Sequence, residues 1–110
     1  MTRLYGLKAC DTCRKALKSL KNAGIDVAFQ DVRETPLTQG EIVRFLDEFG
    51  EKLINTRSTT WRGLDEKTRS LPHLDLLTAH PTLMKRPVIE TENQMTLGWS
   101  ADIAASHLRS

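Results

Sequence analysis

The chain has 110 residues, of which 39% are hydrophobic and 27% are charged. This length and composition are typical of one globular domain and exclude a multidomain or disordered chain. A formal net charge of +2 argues against a general nucleic-acid-binding surface. No apolar run approaches the ~18 residues that span a bilayer, and no secretory signal opens the sequence. We expect one cytoplasmic domain, residues 1–110, with no membrane contact and no direct nucleic-acid partner.

The first third of the chain predicts a strand, a helix and a second strand. Residues 2–5 have a strand-like pattern that ends at Gly6. Apolar residues then recur at three- and four-residue spacing over 13–23, which is typical of a helix that ends at Gly24. Loose alternation over 25–32 predicts the second strand. A crossover of this kind favours a parallel pair of strands in one sheet.

The middle of the chain is predicted to be helical. Thr38, followed three residues later by Glu41, forms a capping box that starts a helix ending at Gly50. Over residues 53–83, short helical turns are predicted by Trp61 and Leu64 after Ser58, and by three leucines between Pro72 and Pro81. This part of the chain therefore contributes helices and no long strand.

The last part of the chain predicts a hairpin and a helix. Residues 88–91 and 95–98 are short strand candidates, and Ser100 is a candidate N-cap for the final helix. The complete order of elements is that of a thioredoxin-like α/β domain. We expect a small mixed four-stranded sheet with flanking helices, and an all-helical insertion at about 37–84.

The two cysteines, Cys10 and Cys13, have the spacing of a redox pair and are too few for a disulfide scaffold. Cys10 precedes the predicted helix, whose N-terminus stabilises a thiolate, the attacking species in thiol chemistry. Cys13 lies one helical turn further on, so Cys10 is the candidate nucleophile and Cys13 a candidate resolving thiol. Positive charge lies close by in Lys8, Arg14 and Lys15.

Basic residues are concentrated in the first 33 positions, where seven Lys or Arg accompany three acids. This distribution predicts a local field that attracts anions. A solvated helix face is the alternative for most of these side chains.

Three other interpretations of the cysteines are weaker. A zinc site needs four ligands, and the histidines have no finger-like spacing, so we expect no metal. A phosphatase loop needs Arg six positions after the nucleophile, but those positions hold Ala16 and Ser19. Packing as small core side chains remains an alternative that fits Cys13 better than Cys10, because Cys13 lies on the apolar stripe of its helix.

Three sequence blocks carry a family resemblance: LYGLKACDTCRKA over 4–16, INTRSTTW over 54–61 and LMKRPVI over 83–89. Their order and separations resemble the arsenate reductase (ArsC)/Spx family, and most closely its YffB-like branch. The resemblance implies a thioredoxin-like fold with a helical insert. It also implies that Cys10 is the catalytic cysteine.

The resemblance further implies that Arg57 and Arg86 bind oxyanions, and that Pro87 is cis and borders the catalytic cysteine. Guanidinium groups suit these tasks because they bind anions with planar, bidentate geometry. The alternatives are an ion pair between Arg57 and a nearby acid, such as Glu51 or Asp65, and a surface position for Arg86.

A third arginine of arsenate reductases is replaced here, at the corresponding place, by Trp99. With one cation fewer, a multiply charged oxyanion is less well neutralised, whereas a thiol substrate such as glutathione still has Arg86 for a carboxylate. Trp99 then offers an apolar or stacking wall to the substrate, with core packing as its alternative role.

These observations lead to three functional hypotheses. The first is a glutathione-dependent thiol reductase that uses Cys10 and Cys13 with Arg57 and Arg86, and takes reducing equivalents from glutathione or a glutaredoxin- or thioredoxin-type protein. Its substrate is small and anionic, and we expect no tightly bound cofactor. The second is an arsenate reductase coupled to glutathione and glutaredoxin. The third is a redox-sensing regulator similar to Spx, which alone implies RNA polymerase as a partner.

Overall fold

The computed structural model describes residues 2–108. The chain forms two compact units, of which the second is Val32–Lys85 and the first consists of the chain on either side of it. The predicted insertion, about 37–84, lies within the second unit.

The first unit contains the sheet and two helices. Its strands are β1 (Thr2–Gly6), β2 (Val27–Asp31), β3 (Val88–Glu90) and β4 (Met95–Leu97). Its helices are α1 (Asp11–Asn22) and α6 (Ala101–Leu108). The strand order is β2-β1-β3-β4. β1 and β2 are parallel and the other pairs are antiparallel, so the predicted mixed four-stranded sheet is confirmed.

The core of this unit lies between the sheet and α1. Leu4 of β1 is paired with Phe29 of β2 on one side and with Ile89 of β3 on the other. Leu4 and Ile89 pack in one fully buried cluster with three α1 residues: Cys13, Ala16 and Leu20. The apolar stripe that predicted the helix is therefore the face that α1 buries.

Helix α1 ends as the sequence predicts. Ala23 is its C-cap, and Gly24 follows with φ 79°, in the left-handed region that suits glycine. The Ile25 N–H donates to the Leu20 carbonyl over 3.1 Å. Because Ile25 completes the helix end, the second strand begins at Val27, two residues later than predicted.

The hairpin is also slightly shorter than predicted. Thr91, predicted to end the third strand, belongs to the turn instead. Its N–H donates to the Gln94 carbonyl over 2.8 Å, and its hydroxyl accepts from the N–H groups of Asn93 and Gln94. β3 therefore ends at Glu90.

The second unit is helical, as predicted. Its helices are α2 (Gln39–Phe49), α3 (Thr59–Arg62), α4 (Glu66–Arg69) and α5 (His73–Ala79), with 3-10 turns at Gly50–Leu53 and Pro81–Leu83. The predicted capping box of α2 is present, with Thr38 and Glu41 each accepting from the other's backbone N–H. Among residues 2–108, no helix is long and apolar enough to cross a bilayer.

A short antiparallel bridge pairs Ile54 with Met84 in the second unit. Two hydrogen bonds flank this bridge: Asn55 N–H to the Leu83 carbonyl at 2.8 Å and Lys85 N–H to the Leu53 carbonyl at 2.7 Å. The bridge joins the beginning and end of the stretch for which the sequence predicted only helical turns.

Candidate functional site

Cys10 lies where the loop after β1 enters α1. It is the N-cap residue of the helix, with φ −84° and ψ 120°. Its N–H donates to the Leu7 carbonyl at 3.1 Å, and its carbonyl accepts from the Arg14 N–H at 3.0 Å. Its side chain is half-buried, and the thiol is free. This position directs the sulfur toward the N-terminal end of the helix, as the sequence predicts.

The surroundings of Cys10 favour its thiolate. Partial burial acts to raise the pKa of the thiol, but hydrogen bonds from the Cys13 backbone and side chain and from Arg86 act in the opposite direction. The positive charge of Arg86 adds to them, and the pKa falls below its ordinary value of 9.0. Three donors from two neighbours thus stabilise one sulfur anion.

Cys13 has the opposite environment. It is fully buried, and this desolvation is the main cause that raises its pKa to about 12. The neighbouring Cys10 adds to the shift through a hydrogen bond and its charge, while the Leu7 backbone opposes it. The two cysteines therefore differ: Cys13 keeps its proton and donates it in a hydrogen bond, and Cys10 accepts.

Gly6 makes the position of Cys13 possible. A Cβ atom at residue 6 would lie 2.4 Å from the Cys13 Sγ, closer than any real contact. Only a residue without a side chain allows the end of β1 to approach this thiol. From the sequence alone, Gly6 is expected only to end a strand, because nothing local to the residue signals the contact.

Arg86 and Pro87 lie in the same unit as the cysteines. The Arg86–Pro87 peptide bond is cis, as the resemblance implies. Pro87 is buried, and its carbonyl accepts from the Gly98 N–H at 2.8 Å. Arg86 is half-buried and hydrogen bonds to Cys10. Arg86 therefore lies only partly at the surface, shortly before β3, and its side chain is close to Cys10.

Lys8 and Arg14 are exposed on either side of Cys10 in the chain. The Lys8 N–H donates to the Asp31 carboxylate at 2.9 Å, which ties the loop to the end of β2. The Arg14 side chain pairs with Asp11 one turn earlier in α1. Their charges lie near the beginning of the helix, as predicted.

Trp99 is half-buried and packs against the cluster that contains Cys13 and Leu20. Cys10 is another partly buried residue that packs against this cluster. Core packing, the alternative role expected for Trp99 from the sequence, therefore describes its observed contacts.

Arg57 belongs to the second unit and is exposed. Its N–H donates to the Asn55 side chain at 3.1 Å. It lines a cleft of about 590 Å³ that also contains Lys52 and Lys85. Within residues 2–108, Arg57 forms no ion pair with Glu51 or Asp65. Asp65 instead caps α4 by accepting from the Thr68 N–H at 2.7 Å.

The structure holds no group of three or more His, Cys, Asp or Glu side chains that could bind a metal ion, within the part of the chain that it describes. One of the three histidines, His107, is buried and hydrogen bonds to Thr96 Oγ1 through Nε2 at 2.7 Å.

Known proteins resemble this chain in sequence over most of its length. A model of the ArsC family matches residues 5–105. The global transcriptional regulator Spx of Bacillus subtilis is 31% identical over 93% of this chain and 82% of its own length.

Solved structures extend the comparison. The YffB (PA3664) protein superposes with a TM-score of 0.91 at 31% identity, over 98% of this chain and 99% of that one. An arsenate reductase (ArsC) related protein from Brucella melitensis has a TM-score of 0.74 at 32% identity, over 99% and 95% of the chains. A glutaredoxin from Archaeoglobus fulgidus, 16% identical with a TM-score of 0.50, shares the fold alone. The chain has the thioredoxin-like fold and belongs to the ArsC family.

Proposed function

We propose that this protein is a thiol-dependent reductase in which Cys10 is the nucleophile and glutathione the reducing co-substrate. The arrangement that supports this most directly is Cys10 at the N-cap of α1, with hydrogen bonds from Cys13 and Arg86 that lower the pKa of its thiol. A thiolate is the attacking species in disulfide exchange. The family of the chain, which contains arsenate reductase-related proteins, agrees with this class of chemistry.

The proposed reaction begins when the Cys10 thiolate attacks one sulfur of a substrate disulfide. A bond forms between the Cys10 sulfur and that atom, the substrate S–S bond breaks, and its electron pair leaves on the other sulfur. A glutathione thiolate then attacks the Cys10 sulfur and displaces the second substrate thiolate. A second glutathione attacks the sulfur of the first, which releases glutathione disulfide and restores the Cys10 thiolate.

Glutathione is a better resolving agent here than Cys13. With a pKa of about 12, the buried Cys13 is almost entirely protonated near neutral pH, and a thiol attacks far more slowly than a thiolate. Cys13 in this proposal serves mainly as a hydrogen-bond donor to the Cys10 sulfur. When the mixed disulfide is cleaved, the Cys13 thiol would donate a hydrogen bond to the departing Cys10 thiolate.

Arg86 supplies the proposed anion-binding group. Its guanidinium lies close enough to hydrogen bond to Cys10, so an anion held by Arg86 lies beside the reacting sulfur. Glutathione carries carboxylates, which guanidinium binds in bidentate geometry. Lys8, Arg14, Pro87 and Trp99 complete the proposed binding surface; Trp99 and Cys10 pack against the same buried cluster.

The proposal is tested by glutathione-dependent reduction of hydroxyethyl disulfide, followed through glutathione reductase and NADPH. Cys10→Ser should abolish turnover because no thiolate remains at that position. Cys13→Ser should retain a substantial fraction of it, since serine keeps a hydroxyl donor beside Cys10. Undiminished activity of Cys10→Ser would contradict the proposal.

Arsenate reduction is a second candidate, supported by the structural likeness to the arsenate reductase-related protein of Brucella melitensis. Arg57 and Arg86 are the cations proposed to bind the oxyanion. The family resemblance implies that Trp99 stands where arsenate reductases have a third. Arsenate-dependent NADPH oxidation in the coupled assay would favour this candidate, and its absence at millimolar arsenate with an active thiol assay would reject it.

A regulatory role is the third candidate, supported by 31% identity to the transcriptional regulator Spx over nearly all of the chain. In this case the state of Cys10 would control binding to RNA polymerase rather than turnover. The distinguishing measurement is copurification with the polymerase before and after oxidation. Failure to retain polymerase in either redox state would exclude this role.

A further inference from the structure

The solvent face of α1 carries charge of almost one sign. The buried residues of the helix, Cys13, Ala16 and Leu20, lie on its opposite face. We call the exposed basic residues of α1 the cationic stripe; its members are Arg14, Lys15, Lys18 and Lys21. The single acid of this helix, Asp11, pairs with Arg14. Part of the stripe borders a shallow groove of about 270 Å³.

The stripe has little counter-charge within the chain. Its three lysines form no ion pair with any residue between positions 2 and 108. Lys15 and Lys18 lie three residues apart, as do Lys18 and Lys21. Like charges at this spacing on a helix repel and destabilise it. An anion from outside the chain that binds to the stripe would offset this repulsion.

Only the basic residues at one end of the stripe lie near enough to Cys10 to stabilise its thiolate. At 1.5 Å per helical residue, Arg14 and Lys15 lie about 6 and 7.5 Å along the axis from Cys10. Lys18 and Lys21 lie about 12 and 16.5 Å from it by the same rise. These distances exceed the Debye length of about 8 Å at physiological ionic strength. Lys18 and Lys21 therefore contribute little to thiolate stability.

We infer that the cationic stripe binds an acidic segment of a polypeptide substrate. This segment flanks the substrate cysteine whose sulfur exchanges with Cys10. This inference rests on the proposed function, because it names the class of substrate for the same nucleophile. An extended peptide advances about 3.3 Å per residue. Carboxylates two to five positions from the reacting cysteine would thus lie about 7 to 17 Å from its sulfur, which is the range from Lys15 to Lys21.

The chemical step is the disulfide exchange already described. The Cys10 thiolate forms a bond to the cysteine sulfur of the peptide, and the bond from that sulfur to its former partner breaks. The electron pair leaves with the partner sulfur. The stripe acts before this step by concentrating the acidic segment at the Cys10 end of α1, so its contribution should disappear when salt screens the charges.

Two synthetic peptides test this inference. Each contains one cysteine blocked as a pyridyl disulfide, so that exchange releases a coloured thione. One peptide has glutamates two, three and five positions after the cysteine, and the other has glutamines there. At low ionic strength we expect the glutamate peptide to react about tenfold faster with the protein, as electrostatic steering predicts. About 0.5 M NaCl should remove most of this preference.

Substitutions identify the surface responsible. The double variant Lys18→Gln/Lys21→Gln should lose most of the preference and keep the rate with the glutamine peptide, because it leaves Cys10 and its neighbours unchanged. The matched control is Arg62→Gln/Lys67→Gln, which removes the same charge from exposed positions of α3 and α4. The control should retain the preference.

The outcomes separate this inference from the proposed function. Equal rates for the two peptides with the unaltered protein would overturn the inference and leave the reductase proposal standing. Equal loss of preference in the control variant would also overturn it, because the effect would then come from net charge. No reaction of Cys10 with either peptide would overturn both proposals.

Discussion

Gly6 and Cys13 are in direct contact at the end of β1, where a Cβ atom on residue 6 would lie 2.4 Å from the Cys13 Sγ. This contact places a buried thiol beside the Cys10 sulfur and allows it to donate a hydrogen bond. The absence of a side chain at residue 6 therefore leaves the room that this arrangement of the two cysteines needs.

Gly6→Ala should destabilise the protein and disturb the cysteine pair, because the added methyl group displaces either β1 or Cys13. We expect a loss of about 1 to 3 kcal/mol in the free energy of unfolding, as for other overpacked cores. Urea titration measures it. Gly40→Ala is the control: its methyl group would meet nothing closer than 4.0 Å, and its helical position should make it neutral or stabilising. Equal stability of the two variants would contradict this reading of the contact.

Arg86→Gln should raise the pKa of the Cys10 thiol. The substitution removes the positive charge that acts on the thiolate and replaces a charged donor by a weaker neutral one. The rate of alkylation by iodoacetamide near neutral pH should fall because less thiolate is present. Iodoacetamide is uncharged, so a loss of reagent binding does not explain the change. Arg62→Gln, on the exposed side of α3, is the matched control and should react like the unaltered protein.

Cys13→Ala and Cys13→Ser should differ in their effect on Cys10. Alanine removes the side-chain donor, so the pKa of Cys10 should rise, whereas the serine hydroxyl keeps a donor and should limit the rise. The measurement is the absorbance of the thiolate near 240 nm as a function of pH. An identical Cys10 titration in both variants would show that the thiol of Cys13 has no such role.

Several local features were predictable from the sequence because neighbouring residues determine them. The Thr38 and Glu41 capping box needs only a spacing of three residues, and α1 follows from an apolar stripe. Cys10 at the start of that helix follows from the same local pattern. These features depend on hydrogen bonds and packing within one turn or one helix.

Features that join distant parts of the chain were not accessible to the same reasoning. The Ile54 and Met84 bridge brings together residues 30 positions apart, in a stretch predicted only as helical turns. The Gly6 and Cys13 contact depends on how closely β1 approaches α1. That Pro87 borders Cys10 was expected only through family resemblance, since no periodicity relates the two positions, and the contact of Arg86 with Cys10 was not predicted.

The stability of the protein should fall in mild acid because of His107. Burial lowers the pKa of this imidazole below 6.5 in the folded state. As pH falls below about 6.5, the His107 imidazole is protonated in the unfolded chain but stays neutral in the folded protein. The free energy of unfolding therefore decreases until the pH passes the lowered pKa of His107 in the folded state. Above that window both states are neutral at this residue, and its contribution no longer changes with pH.

Urea titrations at about pH 7.5 and pH 5 measure this effect. His107→Gln should lose less stability between the two values than the unaltered protein, because its side chain does not titrate. His73→Gln is the control, since His73 lies only partly buried at the start of α5. A pH dependence that is the same in His107→Gln and the unaltered protein would assign the acid sensitivity to other groups.

The most direct test of the thiolate at Cys10 is the pH dependence of alkylation at each cysteine, resolved by peptide mass spectrometry of the native protein. The structure predicts that Cys10 reacts with a midpoint below the ordinary thiol value of 9.0, whereas Cys13, with a pKa of about 12, stays unreactive through that range. Two thiols that react with the same midpoint near 9.0, or a Cys13 that reacts first, would contradict the account.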